Sequence, residues 1–256
     1  MSMPHRFART ELLIGKQGLE ALAASKVAVF GVGGVGSFAV EALARSGIGS
    51  LTLVDFDRVD VTNINRQLHA LASTVGMYKV DLMEARIRDI NSDCRVEARR
   101  EFFQPEREDE FLNGGFDYVI DAIDSIRSKV ALISGCVTRG IPIISVMGAA
   151  RKLDPTAFRV VDISETFNDP LARVVRKGLR DLGITSGVKV VFSPELPQEP
   201  PQDADDDKEA ATAPQALRMS RQPPGSIAFV PPVAGLIAAG VVVKDLLQRN
   251  SGPRAQ

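Results

Sequence analysis

The feature that most constrains this sequence is a glycine-rich turn set between an apolar run and an amphipathic one. Lys26 to Gly31 (KVAVFG) reads as a short buried strand. Gly34 to Ser46 reads as a helix, with Val40, Leu43 and Ala44 on one side and Gly47 as its stop. Between them, Gly31-Val32-Gly33-Gly34-Val35-Gly36 carries G-x-G-x-x-G on Gly31, Gly33 and Gly36, in the strand–turn–helix context the motif requires. Glycine lets the backbone turn tightly and come close to a phosphate. The helix N-terminus adds free N–H groups and a positive dipole end. Asp55 closes the next apolar strand, Leu51 to Val54, where a carboxylate can accept hydrogen bonds from ribose hydroxyls. A plain tight turn is the bland alternative, and the common register of strand, helix and Asp55 weighs against it. A nucleotide site is expected; which nucleotide stays open on these residues alone.

The chain goes on alternating. Lys79 to Ile90 is helical, with Val80, Met83, Ile87 and Ile90 at helical spacing. Arg95 to Arg99 reads as a strand, Tyr118 to Ile120 as a strand closed by Asp121, Ile126 to Arg139 as a helix and Ile141 to Val146 as a further strand. Such alternation predicts an α/β fold with a doubly wound, mostly parallel sheet, whose ligands sit beyond the C-terminal strand ends. The glycine turn, Asp55 and the stretch Asp121 to Ser125 all fall at those ends. The second half differs. Phe158 to Ile163 and Val188 to Phe192 read as strands around a helix from Pro170 to Leu182, a smaller antiparallel extension. Pro194 to Pro224 is rich in Pro, Asp, Glu, Gln and Ala and reads as a mobile acidic insertion. Ile227 to Val230 reads as a strand leading into a buried helix with Pro231 and Pro232 in its first turn. The prolines break the apolar stretch Ile227 to Leu247, and the remainder is too short for a membrane span.

Composition removes several classes. The chain has 256 residues, a net charge of −1, 45% hydrophobic and 25% charged residues, a balance that suits a packed core and not a disordered chain. Two cysteines, Cys94 and Cys136, exclude a disulfide scaffold and a four-cysteine zinc site. Neither has a flanking cation cluster of the kind that activates a thiolate. Met1 to Thr10 is polar and is followed by no secretory apolar segment, so a cytoplasmic location is expected. The near-zero charge argues against a mainly electrostatic nucleic-acid binder and leaves a local basic face open.

Past the second strand the sequence carries a D-x-D at Asp55-Phe56-Asp57 and an N-x-x-R-Q at Asn63-Ile64-Asn65-Arg66-Gln67. A G-x-x-K comes next at Gly76-Met77-Tyr78-Lys79 and a D-x-x-D at Asp121-Ala122-Ile123-Asp124. Together with the glycine turn, these elements resemble the ubiquitin-activating-enzyme-like superfamily, which adenylates carboxylates with ATP. The likeness runs from Arg6 to about Gly148. Within that superfamily the chain is most similar to the bacterial tRNA threonylcarbamoyladenosine dehydratases. Arg6-Phe7, Ser46 to Gly49, Asn63 to Ala70, Val119 to Ser125, Asp154-Pro155-Thr156 and Asp169 to Ala172 carry that similarity, and the final third matches weakly. The resemblance implies a single adenylating domain over residues 1–256, with an ATP-binding core about 20–150 and a substrate-handling part about 151–256 that contains the insertion about 194–226.

It also implies ATP and Mg²⁺, no zinc, a tRNA substrate and a homodimer. Gly31, Gly33, Gly34 and Gly36 would cradle ATP, with Asp55 on the ribose and Asp57 and Asp121 in the same site. Arg66, Lys79 and Asp124 form the implied catalytic set. The two cations contact the triphosphate with Asn63 beside them, and Asp124 holds Mg²⁺. Arg9 matches an arginine that reaches the neighbouring subunit's ATP site. The chemistry agrees, because bringing a carboxylate to a triphosphate needs cations and a metal-holding carboxylate. Taken singly, Arg66 could be a surface charge and Asp124-Ser125 an N-cap, while Lys79 at a helix start is electrostatically unhelpful there. His69 reads best as a helix-surface histidine. No cysteine occurs after Cys136, which weighs against thioester-forming and zinc-bearing relatives and puts a sulfur-transfer partner in doubt.

The segment Asp169 to Gly183 separates into two faces. Leu171, Val174, Val175, Leu179 and Leu182 make an apolar stripe. Arg173, Arg176, Lys177 and Arg180 make a basic one that could meet tRNA, with a solvated helix face as the alternative, and Arg218 and Arg221 could add to it. The expected activity is ATP-dependent cyclisation of threonylcarbamoyladenosine through its carboxylate. A sulfur-carrier adenylyltransferase, a nicotinamide-dependent dehydrogenase and a non-hydrolysing ATP sensor are the rivals. The dehydrogenase reading accounts for the glycines and Asp55 but not for N-x-x-R-Q or D-x-x-D.

Overall fold

The computed structural model describes residues 5–199 and 224–250. Its centre is a seven-stranded sheet in the order β3-β2-β1-β4-β5-β7-β6. The strands are β1 (Lys26–Phe30), β2 (Ser50–Val54), β3 (Arg95–Arg99), β4 (Tyr118–Asp121), β5 (Ile143–Val146), β6 (Arg159–Asp162) and β7 (Lys189–Phe192). All neighbours run parallel except β6, which pairs antiparallel with β7 at one edge. The central strands are apolar on both faces, as a sheet covered by helices on both sides requires. Val27 and Val29 of β1 point into one core, Ala28 and Phe30 into the other. The edge strands are more polar, and Arg95 and Arg159 are exposed, which discourages pairing with another chain.

Helices α1 (Ala8–Ala24), α2 (Gly36–Ser46), α3 (Lys79–Ile90) and α7 (Val230–Asn250) cover the first face, burying Leu22, Leu43, Met83 and Val242. Helices α4 (Glu108–Leu112), α5 (Ile126–Thr138) and α6 (Pro170–Asp181) cover the second, burying Phe111, Leu132 and Val175. The chain runs from β1 outward to β3 and then returns to β4 on the other side of β1. The switch therefore lies between β1 and β4, where ligands bind in such sheets. The fold expected from the sequence is the fold observed, and the antiparallel extension is the β6–β7 edge. That edge joins the same sheet through β5 and β7.

Several local expectations change. Ile227 to Val230 is not a strand: the chain reaches Val230 without pairing and begins α7 there. Pro231 and Pro232 lack N–H groups, which costs nothing in a helix's first turn but would interrupt a ladder. Helix α7 is long and apolar enough to span a membrane by composition, yet Ala234, Ala238, Val242 and Leu246 pack in the core against α2. Helix α1 has no clear periodic signature in the sequence, because Leu12 and Leu13 point outward and Gly15 breaks the helical backbone with φ of 74°. In α6 the buried side is Ala172, Val175 and Leu179, while Val174 and Leu182 of the expected stripe are exposed. The central part of the acidic insertion, with Arg218 and Arg221, lies outside the described residues.

A buried ion pair ties the two halves of the sheet. Lys129 of α5 donates to Asp121 Oδ2 at 2.8 Å, to Ser145 Oγ at 3.3 Å and to the Val146 carbonyl at 2.9 Å, with both charged side chains fully buried. Ser145 Oγ donates to the same Asp121 oxygen at 2.5 Å. Removing one partner of such a pair strands the other charge, at a cost of about 3–5 kcal/mol. Lys129→Met should therefore lower unfolding free energy by about 3 kcal/mol or more, read as a shift of the urea midpoint. A loss under about 1 kcal/mol, the level of an exposed pair, would show that the pair is not a clamp.

Candidate functional site

A cleft of about 740 Å³ crosses the C-terminal ends of the parallel strands. Its walls come in sheet order. Glu101, Phe102 and Phe103 follow β3, Asp55 to Asp57 follow β2, and the glycine turn follows β1. Ala122 to Asp124 follow β4, and Met147 to Lys152 follow β5. The first residues of α6, Asp169 to Leu171, together with Pro197, Pro224 and Ser226, close the far side.

The glycine turn is fixed by backbone contact. Gly31 sits at φ +85°, and a Cβ there would lie 2.6 Å from the Ala122 carbonyl oxygen. A Cβ on Gly36 would lie 1.8 Å from the Gly31 oxygen. No other residue can occupy these positions without opening the turn. Asp55 braces it from the side: its Oδ2 accepts Val32 N–H at 2.6 Å and its Oδ1 accepts Asp57 N–H at 2.8 Å. Burial pushes the Asp55 carboxyl above the usual carboxylate range, against the pull of Lys79 and the two backbone donors.

The segment from Asp60 to Tyr78 folds over the strand ends in short turns. Asp60 caps a 3₁₀ turn at Val61–Asn63 by accepting Thr62 N–H, and Asn63 Oδ1 accepts Asp60 N–H in return. The Asn63 carbonyl then accepts Arg66 N–H and Gln67 N–H, which sets both side chains on the cleft wall. Arg66 donates to the Thr62 carbonyl and to Asn65 Oδ1 and meets no carboxylate among the described residues. Lys79, nearly buried at the start of α3, pairs with Asp57 at 2.6 Å. Asp124 is exposed in the cleft, with no hydrogen-bond or ion-pair partner among the described residues.

Of the sequence-derived site residues, Gly31, Gly33, Gly34, Asp55, Asp57, Asn63, Arg66, Lys79 and Asp124 all line this one cleft. Gly36 lies directly behind the turn. Asp121 does not line the cleft: it is fully buried behind it, and its Oδ1 accepts Ile123 N–H at 3.0 Å. It holds the loop that carries Asp124 and has no surface on which to meet ATP. Arg9 is exposed on α1 and does not line the cleft. Arg176 differs from its three basic neighbours: it donates to the Thr166 carbonyl at 2.7 Å and to Thr166 Oγ1. Arg173, Lys177 and Arg180 are exposed and unpaired among the described residues.

His69 is also not where the sequence reading put it. It is 5% exposed in a loop, and neither ring nitrogen has a partner among the described residues. Both cysteines are buried thiols, with burial pushing Cys94 up to about 11 and Cys136 up to about 12. The sequence reading missed Phe56 and Phe102, an edge-to-face pair 5.2 Å apart on the Asp55 side of the cleft. It also missed Gln67, Arg151 and Lys152. Only the D-x-D and the strand end at Arg99 could have hinted at the two rings.

A glycine turn at a helix N-terminus, an arginine committed to no carboxylate among the described residues and one open carboxylate suit a protein that binds a nucleotide triphosphate and brings it to an anion. The chain belongs to the ThiF family, whose model matches residues 7–255. It is 56% identical over 246 residues to the tRNA threonylcarbamoyladenosine dehydratase of Bacillus subtilis, covering 96% of each chain. It is 40% identical over 252 residues to the protein of that name from Escherichia coli, covering 95% of this chain and 94% of that one. The crystal structure of the E. coli enzyme in complex with ATP superposes with a TM-score of 0.86 at 38% identity, over 97% of this chain and 96% of the other.

Burial and Lys79 hold His69 neutral, with its pKa depressed to about 4. An unfolded histidine takes up its proton near pH 6.5, so acidification favours the unfolded chain. Stability present above pH 6.5 is lost as pH falls toward 4, by about 3 kcal/mol from this residue. His69→Leu should remove that component. Urea midpoints at pH 7 and pH 5 should differ less in the variant than in the native chain, and equal differences would refute the assignment.

Proposed function

We propose that the chain is an ATP-dependent dehydratase that cyclises threonylcarbamoyladenosine in tRNA. The observation that carries this reading is the single cleft that unites the glycine turn, Arg66, Lys79 and Asp124 over a full-length likeness to enzymes of that name. ATP fits the site chemically: Gly31, Gly33 and Gly34 present backbone without side chains to the cleft, and Arg66 is not committed to a carboxylate. Mg²⁺ fits more narrowly. No group of three or more acidic, histidine or cysteine side chains that could hold a metal occurs among the described residues. A single open carboxylate, Asp124, suits an ion held mainly by phosphate oxygens and water. When bound, the ion supplies charge neutralisation to the phosphates.

The chain's own groups do the rest. The turn's N–H groups orient the phosphates, with Asp55 and Asp57 toward the ribose. Arg66 and Lys79 stabilise the charge that builds as the threonyl carboxylate attacks phosphorus, Lys79 exchanging Asp57 for phosphate. One carboxylate oxygen thereby becomes bonded to phosphorus as the P–O bond to the leaving phosphate-bearing part of ATP breaks, that part departing with the electron pair. The tethered carbamoyl group closes on the acyl carbon and loses its proton to solvent, and that oxygen departs on phosphorus. The net change in the nucleoside is loss of one water. Closure needs no enzymic nucleophile, because the attacking group is already held in place. That accords with two buried, unreactive thiols and leaves no step for a sulfur-transfer partner.

The tRNA would meet the basic side of α6, whose first residues line the cleft. Arg173, Lys177 and Arg180 supply the phosphate contacts, while Arg176 serves the fold. A homodimer is supported by Leu12 and Leu13, 90% and 85% exposed on α1 beside Arg9, which would enter the neighbouring site. The compartment is the cytoplasm, where tRNA and ATP meet.

Incubation with ATP, Mg²⁺ and tRNA carrying threonylcarbamoyladenosine, followed by nucleoside mass spectrometry, should show loss of one water. Unchanged nucleoside would favour adenylation of a carrier-protein C-terminus. Arg66→Ala and Asp124→Ala should each lower kcat by about 100-fold or more while the chain still folds; full turnover in either variant removes that residue from the catalytic set. Arg173→Ala with Lys177→Ala should weaken binding to modified and unmodified tRNA alike and reduce the slope of log affinity against log salt by about 1–2. An unchanged slope moves the tRNA elsewhere.

A further inference from the structure

The half of the cleft beyond β5 has a charge arrangement that the nucleotide reading does not use. Its acidic side chains are already committed. Asp169 accepts Lys152 at 3.2 Å and caps α6 through Ala172 N–H, and Lys152 is completed by the Ser193 carbonyl at 2.6 Å. Glu195, beside the cleft, is likewise taken up: it accepts the N–H groups of Leu153 and Asp154 at 2.8 and 3.0 Å. Lys152 and Asp169 are buried and cancel each other. One cation is left over. Arg151 lines the cleft, and its guanidinium has neither a hydrogen-bond nor an ion-pair partner among the described residues.

The backbone of Arg151 is also unusual. Its φ is +57°, a left-handed conformation that side chains other than glycine, asparagine and aspartate seldom adopt. It is held there from both sides. Arg151 N–H donates to the Gly225 carbonyl at 2.9 Å, and Gln198 N–H donates to the Arg151 carbonyl at 2.7 Å. Lys152 is anchored immediately after it. Glycine would relieve the strain, yet an arginine stands there, and strain of this kind concentrates where a side chain must be aimed. The neighbours across this part of the cleft, Met147, Gly148, Ala149 and Leu171, offer an anion no competing donor side chain.

We propose that Arg151 is the residue that recognises the substrate's free carboxylate, by paired N–H···O bonds to both oxygens before that carboxylate attacks phosphorus. A guanidinium matches a carboxylate in this planar two-point manner, and a lysine does not. The assignment rests on the dehydratase reading above and makes Arg151 its specificity determinant. It separates the phosphate cations, Arg66 and Lys79, from the cation that selects the acyl substrate. An adenosine without the threonylcarbamoyl group has nothing to give this arginine.

The test uses the full chain with Mg²⁺ and a non-hydrolysable ATP analogue. Binding of one tRNA is measured with and without the threonylcarbamoyl group, and the native chain is first checked for cyclisation with ATP. The native chain should prefer the modified tRNA. Arg151→Gly should lose about tenfold or more of that preference, the scale of a charge-assisted hydrogen bond, with unmodified tRNA bound as before. Its urea midpoint should be equal to or above the native value, because glycine suits the backbone at this position. Arg151→Lys should restore only part of the preference. A glycine variant that keeps the full preference overturns the proposal, and one that weakens both tRNAs equally makes Arg151 a phosphate contact instead. If the native chain binds ATP but does not cyclise the modified nucleoside, the dehydratase reading itself fails, and this assignment falls with it.

Discussion

Asp121 and Lys129 meet at the bottom of the cleft, fully buried, and the geometry of the site depends on that contact. The pair joins the end of β4 to α5 and, through Ser145 and the Val146 carbonyl, to the end of β5. The other Asp121 oxygen fixes Ile123 and so the loop to Asp124. Gly31 packs onto the Ala122 carbonyl from the opposite side. The glycine turn and the open carboxylate therefore share one rigid support. A buried pair is weak evidence for net stability; its value here is that it sets positions at the sheet's switch point.

From that support the cleft divides by charge. On the β1–β4 side, Arg66 and Lys79 stand over the turn, and Asp55 braces it through Val32. Asp55 thus has a structural duty in addition to any contact with ribose. On the β5 side every carboxylate is already satisfied and one guanidinium is not, among the described residues. In the proposed reaction the two anions to be joined would have separate binding groups until they react. Helix α7 supports the arrangement from behind, packing its small residues against α2, the helix that leaves the glycine turn.

The sequence revealed the β1–β4 side of the cleft more fully than the β5 side. Gly31, Asp55 and Asp124 follow strand ends, which a parallel sheet brings to one edge, and Asn63, Arg66 and Lys79 belong to short local patterns in the turns and helix start that follow β2. Arg151 belongs to no pattern. Its backbone is held by Gly225 and Gln198, which are distant from it in sequence, and its lack of a carboxylate partner among the described residues depends on carboxylates elsewhere being occupied. Asp121 and Asp124 look alike in D-x-x-D, and only burial distinguishes the clamp from the exposed carboxylate. Arg176 looks like Arg173 and Lys177 for the same reason: helical spacing cannot see the Thr166 carbonyl that captures it.

By itself the sequence determined the α/β class, the order of the central elements, the cleft to which the glycine turn belongs and the count of two cysteines. These come from periodicity, glycine geometry and residue counts, which act locally or over the whole chain. Tertiary structure alone decided which charges are free. It buried Asp121 and His69, committed Arg176 and Asp169 to the fold, turned Ile227 to Val230 from an expected strand into the approach to α7, and left the side chains of Arg151 and Asp124 without partners among the described residues. Whether a charge is paired depends on what lies within about 4 Å of it, and that distance is set by the folded chain and not by position along it.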